Sequence, residues 1–159
     1  MKVTMTRQEM LELWQGLPGL ANLKGFKLGY AVARTKAKLK VEIEAFEEAL
    51  KPDAAFTEYE KKRLELCRKY AMKDERGEPL VQGNQFVFQD RTEFEAQVEP
   101  LNEEYADAIA ARTSQLEGYT ASLREPIEVE VHTVAIADVP EDVTVQQMDT
   151  LIRLIKAEE

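Results

Sequence analysis

The sequence predicts a mainly helical α+β fold, and three patterns carry the prediction. Apolar residues recur every three or four positions from Leu23 to Met72 and again from Glu93 to Thr120, which is helical spacing. Lys51-Pro52-Asp53 interrupts the first stretch, and so short a turn folds its two arms into a long antiparallel helical hairpin over residues 23–72. Ile127-Glu128-Val129-Glu130-Val131 alternates strictly, the pattern of a strand with one buried and one acidic face. The 159 residues, 44% hydrophobic and 32% charged, suit one globular domain over residues 1–159 with a core of its own.

Taken in order, Thr6-Arg7-Gln8-Glu9 is a capping box ahead of a short helix that carries Met10, Trp14 and Leu17. Gly16, Pro18 and Gly19 end it. Trp14, the only tryptophan, is expected to anchor this helix on the hairpin; the alternative is an exposed interface residue. In the first hairpin arm Leu28, Val32, Thr35, Leu39, Ile43, Phe46 and Leu50 make a heptad-like seam. Tyr30, Ala33, Ala37 and Val41 form an adjoining stripe, and so wide an apolar arc predicts a third element packed over the hairpin. The arm starts basic, with Lys24, Lys27, Arg34, Lys36, Lys38 and Lys40, and ends acidic, with Glu42, Glu44, Glu47 and Glu48. Pro52 stops it, Asp53 caps the second arm, and Phe56, Tyr59, Leu66 and Tyr70 recur along that arm with Leu64 and Cys67 beside them.

Residues 79–89 read as a β-hairpin turning at Gly83-Asn84. Thr92-Glu93-Phe94-Glu95 is a second capping box, ahead of a helix over 93–120. Its apolar phase runs unbroken past Pro100 and predicts a kink there, rather than one helix ending at Val98 and another starting with Pro100 in its first turn. The strand is placed at 127–137, with a change of phase near His132-Thr133. It is expected to join the 79–89 hairpin in a three-stranded antiparallel sheet, because two strands alone are not stable in water. Thr144-Val145-Gln146-Gln147 caps a terminal helix over 144–157.

Composition and motifs point away from several function classes. Thirty acidic and 21 basic residues leave a formal charge of -9, which repels phosphate backbones and disfavours direct nucleic-acid binding. The basic half of the first arm lacks interleaved exposed aromatics, so it reads as a solvated face paired with acids. Cys67 and His132 are the only residues of their kinds, too few for a zinc site or a Cys–His nucleophile with an identifiable third member. No carboxylate cluster has calcium-loop spacing. Glu128 and Glu130 are the only strand carboxylates and lack the Asp/Glu-x-Lys partner of a two-metal nuclease, which makes a divalent-metal enzyme the least favoured reading. Gly16 to Gly19 is not followed by the Lys-Ser/Thr of a P-loop. Neither a cofactor nor a metal is expected. No secretory h-region opens the chain, and no apolar run approaches the ~20 residues that span a bilayer, so no membrane association is expected.

The layout resembles one family. A helical entry ends in Lys27-Leu28-Gly29-Tyr30, a long charged helix follows, and then comes Tyr70-Ala71-Met72-Lys73-Asp74-Glu75-Arg76-Gly77-Glu78-Pro79. After it stand Phe94-Glu95 with Leu101, an acidic strand and a short terminal helix. This order, and chiefly the Tyr70–Gly77 stretch, resembles a family of small tailed-bacteriophage proteins of unknown function. The resemblance implies a phage gene product located in a bacterial cytoplasm or a virion, and it assigns no residue a role.

The expected function is therefore non-enzymatic: an accessory factor that binds a host or phage protein as adaptor or inhibitor. The alternative is a virion or assembly component that forms a homo-oligomer through its helices. The candidate interaction surfaces are the hairpin tip at Lys51 and Asp53 and the acidic strand face of Glu128 and Glu130, with strand 127–131 as an edge for β-augmentation.

Overall fold

The computed structural model describes residues 1–156. In chain order its elements are β1 (Lys2–Thr6), α1 (Arg7–Gly16), a 3₁₀ turn at Leu17–Leu20, α2 (Phe26–Leu50), α3 (Ala54–Tyr70), β2 (Val81–Gln82) and β3 (Gln85–Phe86). There follow α4 (Arg91–Glu104), α5 (Ala106–Ser122), β4 (Pro126–Glu130), a 3₁₀ turn at Ile136–Asp138 and α6 (Val145–Leu151). The chain is thus mainly helical α+β. It divides into two compact units, one from Met1–Leu50 with the chain from Gly118 onward, the other Lys51–Glu117. The two arms expected to form a single hairpin belong to different units, and each finds packing partners within its own.

In the first unit β1 and β4 form a two-stranded antiparallel sheet, paired from Lys2↔Glu130 to Thr6↔Pro126. The expected three-stranded sheet is not formed: β2 and β3 pair only with each other. Strand β4 instead takes the chain's first residues, whose Val3 and Met5 alternate with Lys2, Thr4 and Thr6. The pairing continues one step further, where Val131 donates to the Met1 carbonyl at 2.8 Å and the Met1 ammonium donates to the Val131 carbonyl at 2.7 Å. The expected strand 127–137 ends there because the backbone changes partners. The His132 N–H turns to the Thr35 hydroxyl of α2 at 2.9 Å. The Val134 N–H goes to the Leu154 carbonyl at 2.8 Å, and Lys156 N–H returns to the Val134 carbonyl at 3.0 Å. That exchange also shortens the terminal helix. Its Thr144–Gln147 capping box is formed as expected, but α6 stops at Leu151 so that the following residues can lie beside Val134. Residue 157, the expected end, lies outside the described residues.

The core of this unit gathers Met10 and Leu13 of α1, Leu17 and Leu20, then Leu28, Ala31, Leu39 and Ile43 of α2. Val129, Val131, Val134, Leu151 and Leu154 close it. Each large aliphatic side chain fully withdrawn from water contributes about 1.5–3 kcal/mol. Thr35 sits in the same seam, completely buried, and its hydroxyl accepts the His132 N–H, so neither polar group is stranded in the core. Trp14 is half-buried against this core, with the Lys36 ammonium 5.9 Å from its ring centre. Gly16 has helical dihedrals (φ -78, ψ -28) rather than those of a turn. A Cβ there would lie 2.3 Å from Thr150 Oγ1, so the glycine is required by the close approach of α1 to α6.

In the second unit α3 and α4 run antiparallel. Tyr59 donates to Asn102 at 2.7 Å near one end, and Cys67 and Phe94 line one cavity near the other. Asp53 caps α3 by accepting from the Phe56 N–H at 2.7 Å. The cap of α4 is Asp90, two residues ahead of the Thr92 expected to start it, because its carboxylate accepts from the Thr92 N–H at 2.8 Å. Pro100 lies inside α4 without ending it. The interruption falls at Tyr105 instead, where φ -105 and ψ 21 leave the helical range, and helical bonding resumes with Ile109 N–H to the Tyr105 carbonyl. Tyr105 is also tied to α3: its hydroxyl accepts from Lys62 Nζ at 2.7 Å, and that bond together with Glu58 holds the Lys62 ammonium well above its ordinary pKa. The β2–β3 hairpin turns at Gly83, with φ +59 at the first central position, which is the place for glycine in a Gly-X turn. Met72 anchors it, donating to the Val87 carbonyl and accepting from the Leu80 N–H, both at 2.7 Å.

Candidate interaction surface

Helix α2 carries two apolar faces. At 100° per residue, Leu28, Ala31, Thr35, Leu39 and Ile43 cluster on one side, and all five are buried. Phe26, Tyr30, Ala33, Ala37 and Val41 fall in an arc about 80° wide on the opposite side, and all five are exposed. Phe26 is 87% exposed, Val41 66% and Tyr30 53%. The stripe from Tyr30 to Val41 is visible in the sequence, where a third element is expected to cover it. Among the described residues it is left in water. Phe26 lies outside the stripe expected from the sequence, although its i,i+4 spacing to Tyr30 continues the stripe by one turn.

The aromatic end of this face is ordered. The Phe26 and Tyr30 rings stack with centroids 6.3 Å apart and an interplanar angle of 23°. The His132 ring meets Tyr30 edge-on at 6.2 Å. His132 Nε2 is buried without a hydrogen-bond partner, and the nearest acid, Glu130, is 3.9 Å away. Lys27 fixes the start of α2 to the 3₁₀ turn at Ile136–Asp138 through both carboxylate oxygens of Asp138, at 2.9 and 3.1 Å. Arg34 and Lys40 project just outside the two edges of the stripe, so an apolar strip lies between cationic margins.

The four residues singled out from the sequence occupy more constrained positions. Asp53 is committed to capping α3. The Lys51 carbonyl accepts from Gln115 Nε2 at 3.0 Å, and Lys51 and Asp53 border a shallow cavity of about 250 Å³ with Phe56 and Arg112. Glu128 and Glu130 do share one face of β4, but each is matched by a lysine: Lys2 Nζ stands 2.6 Å from Glu128 and Lys38 Nζ 2.8 Å from Glu130. The hydrogen bond from Lys38 holds the Glu130 carboxyl below the usual carboxylate range, and the bond to Glu128 raises Lys2. The acidic face is therefore largely neutralised. At its His132 end the outer edge of this strand segment is taken by Thr35, which leaves a shorter edge for an added strand than the sequence pattern implied. The basic half of α2 is similarly engaged, in Lys27–Asp138, Lys38–Glu130 and Lys40–Glu44 ion pairs.

The lone cysteine is buried in the second unit, and burial pushes its thiol pKa up, away from a reactive thiolate. Among the described residues no three His, Cys, Asp or Glu side chains are grouped to hold a metal ion, and no helix is long and apolar enough to cross a membrane. Compared with known proteins, the chain matches no family model, no curated protein and no solved structure.

Proposed function

We propose that this chain is a non-enzymatic accessory protein that binds another protein through the outer face of α2. The observation that supports this reading is the Phe26–Tyr30–Val41 stripe, an apolar helix face with an ordered aromatic end and no covering element in the described chain. Aromatic side chains in such a position are the usual anchors of protein interfaces, and a helix face with i, i+4, i+7 anchors suits packing against a partner helix or groove. The Arg34 guanidinium at one margin favours a partner with a carboxylate opposite it, whereas Lys40 at the other margin is paired with Glu44 at 3.5 Å. Arg34 disfavours a second copy of this chain, because an antiparallel pair that nests the aromatics against Ala37 and Val41 brings like edges together and sets Arg34 beside Arg34 of the other copy. A phage origin, with a host or phage protein as target, rests on the Tyr70–Gly77 resemblance alone.

The test is affinity capture from bacterial lysate with wild-type chain and with the Phe26→Ser, Tyr30→Ser, Val41→Ser triple variant. A partner held through this face is recovered by the wild type and lost by the triple variant, with Phe26→Ser alone weakening its binding by about 2 kcal/mol, roughly thirty-fold. Recovery of the same proteins by both chains overturns the assignment. A defined oligomer that dissociates in the triple variant replaces it with the assembly reading.

A further inference from the structure

The second unit contains a cavity of about 350 Å³ whose walls come from α3, the β2–β3 turn and the start of α4. Its chemistry differs from that of the chain as a whole. In a protein with 30 acidic residues no Asp or Glu lines it, whereas two arginines from different helices, Arg63 and Arg91, do. Phe86, Phe88 and Phe94 supply an aromatic wall, with Phe88 and Phe94 stacked at 4.6 Å and 27° and the Arg91 guanidinium 5.8 Å from the Phe88 ring centre. The side-chain amides of Asn84 and Gln85 complete the rim.

The two guanidinium groups retain donor capacity. Arg63 is 3.7 Å from Glu60 and Arg91 is 3.8 Å from Glu95, both within their own helices and both longer than a hydrogen bond. Their side chains are 42% and 69% exposed, so these ion pairs are weak and exchangeable. Guanidinium forks match planar oxyanions bidentately, and aromatic walls accept flat apolar bodies. A recess with one aromatic wall and convergent polar groups opposite it, at the small end of ligand-pocket volumes, is what such a ligand requires. We propose that this cavity binds a small aromatic oxyanion, its ring against Phe88 and Phe94 and its carboxylate or phosphate between Arg63 and Arg91. The site lies wholly within the second unit, so it stands or falls independently of the α2 face.

The probe is 2-naphthoate, titrated into the full chain and followed by amide chemical shifts, with 2-naphthalenemethanol as its neutral counterpart and phenyl phosphate as the second oxyanion. Saturable shifts confined to the lining residues are expected, with the neutral compound bound about tenfold more weakly. The Arg63→Gln, Arg91→Gln double variant should lose about tenfold or more in 2-naphthoate affinity and change little toward the neutral compound. Should the double variant fail to fold, the location of the wild-type shifts and the preference for anion over neutral compound decide. Absence of saturable binding at millimolar probe, shifts centred on residues outside the cavity, or equal affinity for charged and neutral compounds overturns the proposal.

Discussion

Leu13→Ala should destabilise the first unit by about 2–5 kcal/mol, the range for truncating a fully buried leucine in a core that relaxes only in part. Leu13 has no exposed surface, and the core around it draws on α1, α2, β4 and α6. A loss of that size consumes a large share of the ~5–15 kcal/mol that holds a typical domain folded. Trp14 is the only tryptophan and packs against the same core, so its emission during urea unfolding reports on this unit. Val145→Ala is the matched control: that side chain is 82% exposed, and its truncation should stay within about 0.5 kcal/mol.

Gly16→Ala should be unfavourable although alanine is the better helix former. In an unconstrained helix the exchange is worth up to about 1 kcal/mol in alanine's favour. Here the new methyl would meet Thr150 Oγ1 at 2.3 Å, Cγ2 at 2.9 Å and Cβ at 3.1 Å. Forcing atoms into a packed contact costs about 1–3 kcal/mol, so the clash outweighs the propensity and the net effect is a loss. Thr150→Ala removes the two nearest of those atoms. In that background Gly16→Ala should become neutral or stabilising, and urea midpoints of the four chains in the cycle measure the change of sign. A Gly16→Ala chain as stable as the wild type would show that α1 and α6 separate at no cost.

Such close approaches mark the boundary of what was legible in the sequence. Local rules served well where the determining partner is a few residues away. The Thr6–Glu9 and Thr144–Gln147 boxes form, Asp53 caps α3, and Leu28, Thr35, Leu39 and Ile43 of the seam are buried, with Val32 half-buried beside them. Long-range choices were not readable. Lys2–Thr6 alternates over only five residues and borders a helix cap, so nothing local marked it as the partner of β4, 120 or more residues away. Gly16 looked like a helix terminator because the reason for it, Thr150, lies on another helix. The two arms flanking Pro52 fall in different units, which a short turn does not announce, and within the second unit α3 is held to α4 by Tyr59–Asn102.

The site was half legible for a related reason. The charged positions Lys51, Asp53, Glu128 and Glu130 drew notice from the sequence as surface groups. Their roles as cap, rim and ion-pair members depend on neighbours the sequence did not reveal. The stripe from Tyr30 to Val41 was visible as periodicity, but a periodic pattern does not say whether anything covers it. Its exposure is what turns an expected packing face into the proposed interaction surface.

The most direct test of that conversion is site-specific photo-crosslinking. p-Benzoylphenylalanine placed at Phe26, with Gln146 as an exposed control position in the same unit, is irradiated in bacterial lysate. One dominant adduct from position 26, to a protein other than this chain, and none from position 146, is the expected result. Adducts from position 146 with none from position 26, or the same adducts from both, would contradict it.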